Sequence, residues 1–250
     1  MPKAIEFSHP ELDADELAWL ATQHDVESRI VFTHVDGTST SYEVEDGPFD
    51  EHFLGQLPAT NWTLIVQDVE KHLPDFRALF AAVDFIPDWR IDDLMISYAA
   101  PGGGVGPHLD TYDVFLYQCA GQREWRLGSA GECEPDPSNN QLSLLLPFAD
   151  EHPYLAHPGD VLYLPPAVPH WGLARDFCMT WSIGMRAPNL AELKAGAERL
   201  LEQENVDIGS LSPGDADVFY ADPDLAVDEA EPGMIAHAAV QRAGRLLGNA

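Results

Sequence analysis

Residues 102–115 read GGGVGPHLDTYDVF: four glycines and a proline lead into a histidine and an aspartate separated by one leucine. An extended chain turns successive side chains to opposite faces, so His108 and Asp110, two apart, look the same way and can grip one ion. A third ligand has to come from another strand. The stretch HPGDVLYLPPAVPHWG offers one, with a turn at Pro158-Gly159-Asp160, a short apolar strand, a proline-stiffened bend and then His170. Two imidazole nitrogens and one carboxylate oxygen on one side of an ion, with the other side open, suit Fe(II). The open positions of such a non-haem site accept a chelating co-substrate and dioxygen.

The other histidines, His9, His24, His34, His52, His72, His152, His157 and His237, have no comparable partner spacing and are read as structural or solvated. Cys119, Cys133 and Cys178 are scattered, odd in number and lack a C-x-x-C pair, which points to neither a disulfide framework nor a cysteine zinc site.

The ligands lie in a strand-rich section. IDDLMISYAA, YDVFLYQCA, QREWRLG, QLSLLLPF, PYLAH, DVLYLPP and FCMTWSIGM follow one another between clusters of Gly, Pro, Asn and Asp, the texture of a sandwich or barrel. Upstream, Asp13 and Glu16 form a capping-box pattern before a short helix, and Asp36-Gly37 divides two β-prone runs of a hairpin. VEKHLPDFRALFAAV reads as helical, with Pro74 as a break or a new first turn. Downstream, Asn189 and Glu192 repeat the capping box ahead of LAELKAGAERLLEQEN, and MIAHAAVQRAGRLL forms an amphipathic terminal helix. Residues 201–233 between them hold ten acidic residues and no basic one, an acidic connector.

The 250-residue length allows one domain with appendages, and the opening residues lack the basic and apolar regions of a signal peptide. With no apolar run long enough to span a bilayer, the expectation is a cytoplasmic protein without membrane contact. Forty-two acidic against 13 basic residues give a formal net charge of -29. Direct nucleic-acid binding is not expected, because phosphate contacts need clustered Lys and Arg. The acidity reads as a solvated surface, as attraction for a basic partner protein, or as both.

GGGVGPHLD, followed by YDVF, WR, PGDVLYLPPAVPHWG and GMRAPN, resembles the JmjC-domain ribosomal oxygenases of the cupin superfamily, most closely the bacterial ribosomal protein arginine hydroxylases. The likeness runs from about residue 11 to residue 200 and includes PDWRIDDLMIS upstream of the ligands. A general cupin would show His-x-His and a downstream glutamate instead of His-x-Asp. The resemblance implies a mainly β fold with flanking helices: a double-stranded β-helix, or jelly roll, followed by C-terminal helices. It places the catalytic domain, with its N-terminal helices and hairpin, at 1–200. Residues 201–250 are left as an acidic connector and a terminal helix, a shortened dimerisation region able to support a homodimer. The family also carries a longer N-terminal segment and a winged-helix domain, for which this sequence shows no counterpart.

By the same resemblance His108, Asp110 and His170 hold Fe(II), and 2-oxoglutarate is the co-substrate. Its far carboxylate needs a cation. Arg123 and Arg126, three apart, face opposite sides of a regular strand; the family's carboxylate-binding base lies thirteen residues beyond the metal aspartate, which lands on Arg123. Thr180 matches a polar family position that hydrogen-bonds the co-substrate. The glycine segment would let backbone pass close to the co-substrate and leave room for a substrate side chain, with Tyr112, Trp125, Trp171 and Trp181 as cavity walls. The implied substrate is an arginine side chain on a basic large-subunit ribosomal protein, its guanidinium met by Asp92, Asp93 or Asp113. The alternatives are hydroxylation of a ribosomal histidine, or a cupin-like protein that binds metal and a small acid without turnover.

Overall fold

In this computed structural model, residues 10–37, 39–129, 131, 133–139, 141–148, 153–203, 219–222 and 234–248 are described. His9, His152 and most of the acidic connector fall outside them. Helix α1 (Ala14–Leu20) starts where the sequence predicts, with the Asp13 carboxylate accepting from the Glu16 N–H at 2.8 Å. The hairpin forms as β1 (Ser28–Asp36) and β2 (Ser39–Asp46), in register from Arg29↔Asp46 to Asp36↔Ser39. A single turn, α2 (Glu51–Leu54), leads to β3 (Trp62–Val66).

Strand β3 is not among the predicted strands. All five of its residues, WTLIV, are buried; a strand covered on both faces is a continuous apolar run without the alternation that marks a half-exposed one. The predicted helix at VEKHLPDFRALFAAV divides at its proline into a short α3 (Val69–His72) and a 3-10 helix over Pro74–Val83. Pro74 cannot donate the backbone hydrogen bond that would carry α3 onward.

The remaining strands are β4 (Ile91–Ala99), β5 (Asp113–Ala120), β6 (Arg123–Leu127), β7 (Tyr154–Ala156), β8 (Val161–Leu164), β9 (His170–Ala174) and β10 (Cys178–Met185). They form two sheets, ordered β2-β1-β3-β4-β10-β5-β8 and β7-β6-β9. The pairs β1–β3, β3–β4, β5–β10, β5–β8, β6–β7 and β6–β9 are all antiparallel. The architecture is therefore the expected mainly β jelly roll, although the N-terminal hairpin extends its larger sheet. QLSLLLPF, expected as a strand, contributes only the isolated bridge Pro135↔Leu145. Its Leu144 instead packs with Val31, Tyr42 and Ile65 in an apolar cluster, while Val114, Leu116, Trp125, Ala156 and Leu164 form another between the sheets.

Two compact units divide the chain: residues 1–82 with 92–185, and residues 83–91 with 186–250. The division falls after β10, whereas the sequence-based boundary at 200 lies inside α4 (Leu190–Gln203). The second unit contains α4 and α5 (His237–Gly248). The Asn189 and Glu192 capping box forms reciprocally, at 2.8 and 2.9 Å. Within this unit Asp222 accepts from Arg90 at 2.6 Å and from Arg242 at 3.3 Å, all three side chains being buried. Among the described residues, no helix is long and apolar enough to cross a membrane.

The glycine segment is where the two sheets are tied together. The Gly102 N–H donates to the Ala174 carbonyl and the Ala174 N–H to the Gly103 carbonyl, each at 2.9 Å; His108 and His170 exchange a reciprocal pair at 3.0 and 2.8 Å. Residues 102–108 thereby cover the edge of β9 opposite β6. A Cβ on Gly104 would sit 2.5 Å from the Gly172 carbonyl oxygen, and one on Gly103 would sit 2.1 Å from that of Trp62. Gly103 and Gly104 make room for neighbouring backbone, a constraint in addition to the expected passage of backbone close to the co-substrate. Gly104→Ala should lower stability by about 2–3 kcal/mol, since the clash is with backbone that cannot rotate away. Gly196→Ala in α4, where nothing lies within 4 Å, should instead gain about 0.5–1 kcal/mol. Urea denaturation of both variants checks this contrast.

Candidate metal centre

The exchange of backbone hydrogen bonds between His108 and His170 sets their rings side by side, with centroids 4.2 Å apart. Asp110 comes from the loop that follows, where its carbonyl accepts from the Ala167 N–H at 2.7 Å. Ala167 ends the Pro165-Pro166 bend with a positive φ of 62°. The bend and the ligand loop are thus pinned to each other. The ligand atoms of His108, Asp110 and His170 all lie within 4.8 Å of one another, with His170 Nε2 3.6 Å from Asp110 Oδ2.

Backbone carbonyls select the tautomer of both rings. Nδ1 of His108 faces the Gly106 carbonyl at 2.9 Å and Nδ1 of His170 faces that of Val168 at 3.0 Å. A carbonyl only accepts, so each Nδ1 carries the proton and each Nε2 presents a lone pair. Burial, helped by the adjacent His108, pushes His170 down to about 3 and keeps it neutral. Burial raises Asp110 above the usual carboxylate range, against the lowering effects of His108 and of a hydrogen bond from Tyr112. Two imidazole Nε2 atoms and one carboxylate short of positive charge fit a divalent cation.

The centre opens into a cavity of about 490 Å³ within the first unit. Arg123 lines it and is only 4% exposed. Its Nη2 contacts Cys178 Sγ at 3.7 Å and its guanidinium lies 5.8 Å from the Trp125 ring, while its Nε has no hydrogen-bond partner. Among the described residues no carboxylate pairs with it. A buried cation in that state fits an incoming carboxylate. Arg126 turns to the other face of β6, over the Trp171 ring at 4.9 Å and against Glu124 at 3.1 Å. Thr180 lines the same cavity, but its hydroxyl donates to Gln118 Oε1 at 2.9 Å. The Gln118 amide nitrogen donates in turn to the Ala120 carbonyl at 2.7 Å and the Met179 carbonyl at 3.3 Å, which fixes the side chain's orientation.

The other candidates separate by strand parity. Asp93, Met95 and Ser97, alternate residues of β4, line the cavity, with exposed Asp92 at its rim. Asp113 does not: Val114 and Leu116 of β5 face the cavity, so Asp113 faces away and accepts from the Tyr163 hydroxyl at 2.6 Å. Tyr112 and Trp125 are walls. Trp181 is not, because it lies between cavity-facing Thr180 and Ser182 and packs against Phe76 and Tyr117; Trp171 stacks with Arg126 instead. Sequence reasoning missed Arg29 and Gln67, brought to the cavity by β1 and the end of β3. With its amide oriented to suit both neighbours, Gln67 donates to Asp93 Oδ2 at 2.8 Å and accepts from Arg29 at 3.0 Å. No local pattern marks them, since pairing across long stretches of chain brings them there.

The JmjC domain family matches residues 78–193, a span that holds all three ligands and Arg123. The chain carries a JmjC domain. It is 42% identical to the ribosomal protein uL16 3-hydroxylase of Escherichia coli K12, over 86% of this chain and 53% of that protein. It is 33% identical to a probable ribosomal oxygenase of Haemophilus influenzae, over 98% of this chain and 57% of the relative. The structure of the E. coli ribosomal oxygenase YcfD in complex with cobalt and 2-oxoglutarate superposes with a TM-score of 0.69 at 37% identity, covering 95% of this chain and 58% of that one. This JmjC chain therefore spans a little over half the length of the relatives it matches.

The JmjC cavity holds one acid under electrostatic strain. Burial, and then the charge of Asp92, push Asp93 up to about 6. A carboxyl whose folded value is raised contributes its stability below the unfolded value, near 4, and loses it as pH rises through about 6. Asp93→Asn should therefore stabilise the metal-free protein by about 1–2 kcal/mol near pH 8, and the gain should vanish near pH 4. Urea melts across that range test the sign.

Proposed function

We propose that this chain acts as an Fe(II)- and 2-oxoglutarate-dependent oxygenase that hydroxylates an arginine side chain of a large-subunit ribosomal protein in the cytoplasm. The observation that carries the reading is the convergence, in one cavity, of the His108, Asp110 and His170 ligand atoms with a buried arginine that no carboxylate among the described residues neutralises. The relatives support the class of substrate, one being named for hydroxylation of ribosomal protein uL16 and another as a probable ribosomal oxygenase. The YcfD complex with cobalt and 2-oxoglutarate supports the metal and the co-substrate.

Iron(II) would be held by Nε2 of the two histidines and by the Asp110 carboxylate, and Arg123 would bind the far carboxylate of 2-oxoglutarate. With both bound, the site supplies the oxidation that converts 2-oxoglutarate and dioxygen to succinate and carbon dioxide while one oxygen atom enters a substrate C–H bond. The protein's own contribution is to orient and to exclude. The carbonyls of Gly106 and Val168, by holding each Nδ1, would leave the imidazole Nε2 lone pairs available to a bound ion. Thr180 would exchange its bond to Gln118 for one to the co-substrate. Asp93, clamped by Gln67 and flanked by Asp92, gives the cavity an acidic wall. A permanently charged guanidinium gains more from that wall than an imidazole does, which favours arginine over histidine as the target.

Incubating large-subunit ribosomal proteins with the Fe(II)-loaded protein, 2-oxoglutarate and dioxygen should add one oxygen atom to an arginine, with succinate in equal amount. Peptide mass spectrometry reads the residue: oxygen on histidine overturns the substrate assignment, and co-substrate binding without succinate identifies a binding protein. His108→Ala should abolish turnover. Arg123→Met should raise the KM for 2-oxoglutarate by roughly 10- to 100-fold, the worth of a charge-assisted carboxylate contact.

A further inference from the structure

Arg123 is held in place with no acid among the described residues to neutralise it. Its guanidinium lies beside the Trp125 ring, and its Nη2 reaches the Sγ of fully buried Cys178, which packs with Ala99 and Ala174. Gly172, the cross-strand partner of Trp125, leaves the space in which both side chains sit. A Cβ there would lie 2.8 Å from the Trp125 ring and 3.1 Å from Arg123 Cδ. None of these neighbours is an acid.

We propose that Cys178 is a positioning residue for the co-substrate, its sulfur orienting Arg123 so that the free edge of the guanidinium faces the cavity. This rests on the reading of Arg123 as the cation for 2-oxoglutarate. A thiol suits the task because sulfur is a weak acceptor. It fixes one edge of the planar group through a contact too weak to compete with a carboxylate. An aspartate at the same position would form a bidentate pair and occupy the edge that the co-substrate needs. An apolar residue would leave another guanidinium N–H unpartnered in a buried site and free the group to rotate.

The test is calorimetric titration of the Co(II)-loaded protein with 2-oxoglutarate and, separately, with oxalate, which can chelate the metal but has no far carboxylate. Cys178→Val, which replaces the sulfur with a branched apolar group, should weaken 2-oxoglutarate binding by roughly 3- to 10-fold, the worth of one hydrogen bond, and leave oxalate binding unchanged. Cys178→Ser, which restores an acceptor, should recover most of the loss. Weakening of both ligands alike by Cys178→Val would reduce Cys178 to a packing role and overturn the proposal, as would full 2-oxoglutarate affinity in that variant. Arg123→Met is the separating control. If it too binds 2-oxoglutarate normally, the assignment of Arg123 fails first; if it loses binding while Cys178→Val keeps it, only the role of Cys178 fails. Should Cys178→Val not fold, Cys178→Ala measured against the same two ligands decides in the same way.

Discussion

Two backbone hydrogen bonds, one in each direction between His108 and His170, are the constraint on which the rest of the site depends. They place two residues from distant parts of the sequence in register, and register is what determines where side chains point. A slip of one residue would turn an imidazole out of the cavity. Asp110 is locked to the same frame through Ala167. The frame needs backbones closer together than side chains permit, and Gly104 against Gly172 provides that approach. The metal ligands are thus positioned by main chain, which is stiffer than any arrangement of side chains could be.

Around that frame the protein tolerates charge where charge is unfavourable. Arg123 is buried without an acid among the described residues, Asp93 ionises only above its ordinary range, and Asp110 sits raised by burial. Each arrangement costs stability in the free protein and becomes favourable when a ligand of the opposite sign arrives. The imidazoles illustrate the reverse case, since His170 stays neutral because it is buried, and neutrality is what a ligand nitrogen requires.

How much of this the sequence discloses depends on the range over which each signal acts. The ligand pair is legible because extended backbone repeats every two residues, even though His108 forms only an isolated bridge and Asp110 lies in a loop, and the turn and prolines before His170 mark the approach to a second strand that begins at the cavity. Arg123 against Arg126 was undecided by spacing, since parity separates the two without saying which face is inside; the family resemblance supplied that. Parity could have excluded Asp113 had the inward face of β5 been known, but its apolar residues occur on both faces. Strand β3 was lost because complete burial erases periodicity. Arg29, Gln67 and Gln118 acquire their roles only through partners far away along the chain, and no local pattern records such meetings. The glycine run stands out in the sequence, yet the object that Gly103 and Gly104 approach, other backbone, is a tertiary fact.

The bridge between His108 and His170 also bears on the order in which the molecule assembles. Loop closure over so long a stretch is among the slower steps of folding, because its entropy is lost before any contact repays it. In the nascent chain the two imidazoles are separate, weak donors, and nothing holds Asp110 beside them. The ion's binding place is consequently created at the moment the small sheet meets the glycine segment. Ion binding at these three residues would thereby be a late event that reports a finished scaffold, since chains arrested earlier lack the assembled ligand set.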